Sequence, residues 1–168
     1  TNIIEYITIA SVGDSKDFGD LNNIVASGVA FQSPVRGVYA GGYMSPPNIN
    51  HIDYITISTT GDATDFGDLT QTSLTGAGGG NATRGIRMGG NNPAAQNTID
   101  FVNIATTGNA QDFGDLVNPT SNGCYGQINS PTRSIYAGGF TQGGNDQNMI
   151  QYISNSSTGN AIDFGDLT

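Results

Sequence analysis

Apolar and polar residues alternate in short runs along this chain, and the runs recur in a fixed order. "SGVAFQ" (27–32), "RGVYAGG" (36–42), "HIDYITIST" (51–59) and "TDFGDL" (64–69) are separated by turn-forming residues at Ser33-Pro34, around Pro46-Pro47 and at Thr60-Gly61-Asp62. Runs rich in β-branched and aromatic residues, bounded by Gly, Pro and Asn, predict strands. No stretch sustains the roughly 3.6-residue apolar period of a helix, so none is expected. The third run carries Ile52, Tyr54 and Thr56 on one side and Asp53, Ile55 and Ile57 on the other. Apolar side chains on both sides predict a sheet covered on both faces.

This set of four runs is a repeating unit. The phrase "DFGDL" occurs four times, with its aromatic at Phe18, Phe66, Phe113 and Phe164, spaced 48, 47 and 51 residues apart. Upstream of each lies a second marker, "IEYITI", "IDYITI", "IDFVNI" or "IQYISN", aligned on Tyr6, Tyr54, Phe101 and Tyr152. A third marker joins one arginine to a glycine pair in "RGVYAGGY" (36–43), "RGIRMGGN" (84–91) and "RSIYAGGF" (133–140). Repeats of this length, each unable to bury its own faces, stack on their neighbours. The expected fold is therefore all-β, with propeller-like repeats of about 48 residues and four antiparallel strands per blade. Residues 1–21 supply the outer two strands of a partial blade, and 26–70, 73–117 and 121–168 supply three full blades, fourteen strands in one incomplete propeller domain. Such a chain is expected to be a stretch of a longer array or to pack its ends on other copies.

In order and kind, these markers resemble the kelch repeat. In that family a glycine doublet closes the second strand, a tyrosine follows on the third, and a tryptophan marks the fourth. Gly41-Gly42, Tyr54 and Phe66 match in order, as do Gly89-Gly90, Phe101 and Phe113, and Gly138-Gly139, Tyr152 and Phe164. This chain departs from the pattern in having Phe for Trp throughout and a longer gap between the two aromatics. Its Asn- and Gly-rich, Lys-poor composition is also similar to that of kelch-type repeats in structural proteins of marine bacteriophages. The resemblance implies a propeller fold and a non-enzymatic binding or structural role, extracellular or on a virion, of the adhesin or tail-fibre receptor-binding type.

Charge narrows the partners. Fourteen Asp and Glu against five Lys and Arg give a net charge of −9. Nucleic acid and anionic membranes need a basic surface, so neither is an expected partner. No apolar run approaches the length of a membrane span. Cys124 is the single cysteine, so no intrachain disulfide forms, and its alignment with Val29 and Ala77 places it in the core. His51 is the single histidine, which excludes the common zinc sites and a Cys/His dyad of any specificity. The glycine stretch 75–85 has no lysine in the position of a phosphate loop and no helix after it.

A phrase present in every unit is unsuited to catalysis, which needs one site. Each full unit has one arginine at the head of its second strand, Arg36, Arg84 or Arg133, and a planar guanidinium matches a carboxylate. Ion pairs with the second acid of the phrase, Asp20, Asp68, Asp115 or Asp166, are the expected structural role. The alternative is calcium, held by acids three apart such as Asp62, Asp65 and Asp68, but strand positions three apart point to opposite faces. No other cofactor is implied. The loops between second and third strands do not repeat. Tyr43, Asn48 and His51 in the first, Asn91, Asn92 and Gln96 in the second, and Phe140, Gln142, Asn145 and Asp146 in the third are the candidate ligand-binding residues. Their amides and aromatics suit a glycan or a protein surface on a rigid scaffold. A third alternative, an enzyme, requires a single convergent polar pocket on that face.

Overall fold

A polar residue closes the first turn of each unit. Ser33 Oγ, Asn81 Oδ1 and Ser130 Oγ accept hydrogen bonds from the backbone N–H of Arg36, Arg84 and Arg133. The carbonyls of those arginines accept from the N–H of Ser33, Asn81 and Ser130. A side-chain oxygen that bonds its own backbone a few residues on stabilises a tight turn, and each turn here starts a hairpin. The computed structural model describes residues 1–44, 47–123 and 128–168.

Among the described residues, 13 strands form four antiparallel sheets and there is no helix. The leading sheet pairs β1 (Ile3–Tyr6) with β2 (Lys16–Asp20). The second is the meander β3 (Val29–Gln32), β4 (Arg36–Tyr43), β5 (Asn48–Thr56) and β6 (Thr64–Asp68). The third repeats it with β7 (Ala77–Gly80), β8 (Arg84–Met88), β9 (Gln96–Asn103) and β10 (Gln111–Thr120). The last contains β11 (Arg133–Ala137), β12 (Met149–Ser154) and β13 (Ile162–Asp166). The fourteenth expected strand and Cys124 fall across residues 124–127, outside the described residues. On either side of that stretch Ser121 bridges Phe140 and Asn129 bridges Ser134. The described sheets do not close into a ring.

The two aromatic markers of every unit meet edge to face. Tyr6–Phe18, Tyr54–Phe66, Phe101–Phe113 and Tyr152–Phe164 have ring centroids 5.8–6.0 Å apart at 83–90°. A β-bulge at the phenylalanine makes this possible. Ile52 pairs with Gly67 and Asp53 with Asp65, so Phe66 is the extra residue, and the same shift recurs at Phe18, Phe113 and Phe164. The bulged strand bends and turns its ring inward. The leucine of the phrase then packs on the first glycine of its own unit's pair. A Cβ on Gly41 would lie 3.1 Å from Leu69 Cδ1 and one on Gly89 would lie 3.0 Å from Leu116 Cδ1.

Each bulged strand is also the socket of a junction with the next unit. Gly61 N–H donates to the Phe18 carbonyl and Ala63 N–H to the Asp20 carbonyl, while Asp62 Oδ1 accepts from Asp20 N–H. Gly108, Ala110 and Asn109 do the same to Phe66 and Asp68, and Gly159, Ala161 and Asn160 to Phe113 and Asp115. The backbone bonds are 2.7–2.8 Å long and the side-chain bonds 3.0–3.1 Å. The turn therefore pairs with the outer edge of the preceding sheet and leaves that edge covered.

Apolar faces close over the same junctions. Phe31, Val38, Ile52, Phe66 and Leu69 share one core with Val102 and Ile104 of the next unit. Ile86, Ile99, Phe113 and Leu116 share another with Tyr136 and Ile153. In β9 and just past its end, flanked by sheets on both sides, Ile99 on one face and Asp100, Val102 and Ile104 on the other are all buried, as the double-sided pattern requires. Just past the end of β5, Ile57 stays exposed, because only a two-stranded sheet precedes it.

Candidate functional site

The residue after each glycine pair folds back on the segment that links one unit to the next. Tyr43 bridges Ala26, Asn91 bridges Leu74 and Phe140 bridges Ser121. Gly42 N–H donates to the Ser73 carbonyl in the following linker, and Gly90 N–H to the Thr120 carbonyl at the end of β10. The linkers are themselves joined, Thr75 N–H to the Ser27 carbonyl and Asn122 N–H to the Thr75 carbonyl. The variable loops and the linkers thus share one edge of the molecule.

Of the candidate ligand residues, Tyr43, Asn91 and Phe140 take equivalent places on this edge, one per unit. Tyr43, Phe140, Gln142, Asn145 and Asp146 are exposed, and Asn48 is half-buried at the start of β5. Asn92 and Gln96 serve the scaffold instead. The Asn92 amide donates to Thr72, and Gln96 donates to the Thr72 carbonyl while accepting from Ser73 Oγ at 2.6 Å. His51 lies within β5 rather than in the loop, with Nδ1 3.7 Å from Asp68 Oδ1. Asn91 Oδ1 is buried with no hydrogen-bond partner among the described residues.

The expected arginine–aspartate pairs do not form. The guanidinium groups of Arg36, Arg84 and Arg133 lie 4.4, 4.8 and 4.6 Å from the ring centroids of Tyr54, Phe101 and Tyr152. Arg36 and Arg84 also donate forward, to the carbonyls of Ile104 and Asn155 in the next unit, at 2.8 and 3.0 Å. A ring face attracts the cation, and the planar group keeps its edge free for a carbonyl. Asp20 is exposed and Asp68 and Asp115 half-buried, so water competes for their carboxylates. These residues act through their backbone, whose N–H and carbonyl both belong to the junction. Asp166 occupies the same position in the last unit, where no following turn meets it.

The three acids of the calcium alternative do not converge. Asp62 accepts from Asp20 N–H, Asp65 from Gly67 N–H at 3.2 Å, and Asp68 faces His51. Among the described residues no group of three or more His, Cys, Asp or Glu is arranged to hold an ion.

Opposite charges are instead paired in the interior at a place that the repeat pattern does not announce. Arg87 and Asp100 form a fully buried pair between β8 and β9, with Nε 3.0 Å from Oδ2. Nη1 of Arg87 also reaches Ser73 Oγ, the Gly89 carbonyl and Gln96 Oε1, and Thr70 Oγ1 donates to Asp100 Oδ1. The available signal lay in comparing units, since Arg87 stands where the others have Tyr39 and Tyr136. Those two hydroxyls accept from Gly28 and Gly123 N–H. Burial pushes the Tyr39 hydroxyl above its ordinary pKa, partly offset by the Gly28 bond.

A cleft of about 470 Å³ lies away from the loop edge. It opens between the β1–β2 pair and the second sheet, lined by Ile3, Leu21, Phe31, Tyr39 and Ile55 among others. Comparison with known proteins finds no family model and no curated protein that matches the chain.

Proposed function

We propose that this chain is a segment of a kelch-like propeller whose blades are the four sheets. We read it as a non-enzymatic binding or structural module, outside a cell or on a virion, with the loop edge as its recognition face. The observation that carries this reading is the contrast between units. The rings, bulges, glycine pairs and junction bonds recur, while Tyr43, Asn91 and Phe140 occupy one equivalent position with different side chains. Variation confined to one edge of a repeated scaffold is how a rigid frame presents a surface for recognition. Exposed Tyr43 and Phe140, with Gln142 and Asn145 beside the latter, offer ring faces and amides that suit a glycan foremost and a polar protein surface second. A glycan array probed with the labelled chain tests this. A bound glycan whose signal falls at least tenfold in Tyr43→Ala or Phe140→Ala supports the reading. Binding untouched by both substitutions, or no binding to glycans or to surface proteins, contradicts it.

A further inference from the structure

The sheet ends opposite the variable loops carry a cleft that recurs from one unit to the next. β9 starts at the loop edge with Gln96 and ends at Asn103, so at about 3.3 Å per residue its far end lies roughly 23 Å away. There a cleft of about 480 Å³ opens between the head of β8 and the β9–β10 turn, lined by Arg84, Phe101, Thr107 and Asn109 among others. The next unit has one of about 470 Å³, with Arg133, Tyr152, Thr158 and Asn160 in the same places. Clefts of this size take small molecules.

The polar groups left over in these clefts are donors. Arg84 uses Nη1 on the Asn155 carbonyl, and its Nε and Nη2 have no acceptor among the described residues. Neither Arg84 nor Arg133 has a carboxylate at ion-pair distance among those residues, although the chain carries fourteen acids; the pairs that form are His51–Asp68 and Arg87–Asp100. Nε and Nη2 make up the side of a guanidinium that grips a carboxylate with two parallel bonds, and Arg87 uses that side on Asp100. Asn109 Oδ1 is engaged in the junction, accepting from Asp68 N–H, and Asn160 Oδ1 accepts from Asp115 N–H in the same way. That leaves the Nδ2 amide of each, without an acceptor among the described residues, as a further donor. The unit before shows what the amide adds. Asp62 makes the same junction bond, from Asp20 N–H at 3.0 Å against 3.1 Å at Asn109, but brings a carboxylate where the later units bring an amide.

We infer that the Arg84 and Arg133 clefts each bind a carboxylate carried on a small hydroxylated molecule, of the uronic acid class. The guanidinium would hold the carboxylate through Nε and Nη2, the asparagine Nδ2 would donate beside it, and the exposed hydroxyl of Thr107 or Thr158 would meet a hydroxyl of the ligand. A net charge of −9 does not forbid this, because exposed charges further off than about 8 Å are largely screened at physiological salt. The inference rests on the donor set of these clefts and not on the loop-edge reading.

An NMR titration of the isotope-labelled chain at physiological salt tests it, read at the arginine Nε–H and asparagine Nδ2 signals. Glucuronate is the probe, and glucose and inorganic phosphate are the controls. The expected result is a saturable shift at Arg84 and Arg133 with glucuronate, affinity about tenfold or more weaker for either control, and no response at Arg36, whose unit has Asp62 in place of the asparagine. Asn109→Asp keeps the junction acceptor, as Asp62 shows, and should weaken glucuronate at Arg84 by about tenfold or more. The response at Arg133 should stay as in wild type, which also reports that the variant is folded. No shift at Arg84 overturns the inference. So does glucose or phosphate binding as tightly as glucuronate, an equal response at Arg36, or an Asn109→Asp chain that binds at Arg84 as wild type does.

Discussion

Arg84 and Arg87 sit three residues apart on one strand and do unlike work. Arg84 lies on the Phe101 ring at the surface of a junction, while Arg87 is sealed with Asp100 in the interior. Breaking a buried pair leaves an uncompensated charge, so Asp100→Ala should cost about 3–5 kcal/mol in denaturant unfolding. Replacing both partners with apolar residues, Arg87→Met with Asp100→Leu, should recover most of that loss. A double variant as unstable as the single one would show that the surrounding Ser73 and Gln96 bonds, not the charge, set the cost. Tyr39 makes the same position sensitive to alkali. Its raised pKa means that the folded state holds the phenol proton more tightly than the unfolded chain. The stability this contributes is complete below the ordinary tyrosine value and is lost as pH climbs through the raised one. Tyr39→Phe should lose about 0.5–1.5 kcal/mol at neutral pH with the Gly28 bond, and its stability should fall less steeply than wild type in alkali. Parallel curves for the two proteins would contradict this.

At the scale of the element, the bulged strand and the turn that meets it form one device. Asn109→Ala removes the acceptor for Asp68 N–H and should cost about 0.5–1.5 kcal/mol, whereas Asp14→Ala in the monomer should be close to neutral. Equal losses from the two would mean that the asparagine acts within its own turn. Asp62 and Asp65 accept from backbone N–H groups and Asp68 faces His51, so EDTA should leave the melting temperature of the purified chain unchanged, and a sharp fall would revive the calcium reading. Much of this element was legible in the sequence. Four aligned units give the ring pairs, the glycine pairs and the strand order by internal comparison. The arginine partners were not legible, because matching one cation to one acid per unit ignores the nearer ring face. Nor was the pairing of turn to bulge, since its bonds are backbone bonds that the side-chain pattern does not encode. Asp62, Asn109 and Asn160 were the visible trace, a single Asx kept at one position of the turn.

For the whole molecule, the repeated phrase is a connector between units, and the edge that varies is the proposed recognition face. The cooperative unit is then the stack, because each of the first three sheets is covered by the one that follows. The central claim rests on what fills the space beside the bulge glycine. Gly67, Gly114 and Gly165 share nearly the same φ, so alanine at any of them meets a common backbone strain of about 1–3 kcal/mol. Only Gly67 and Gly114 face the carbonyl of a following turn, at 2.6 and 2.5 Å from an added Cβ. Denaturant unfolding of Gly67→Ala, Gly114→Ala and Gly165→Ala, in the monomer at low concentration, tests the claim most directly. The account predicts that the two interior variants lose about 1–3 kcal/mol more than Gly165→Ala, from overpacking against the next unit. Three equal losses would show that the glycines serve only their own strands and that the units are not joined through them.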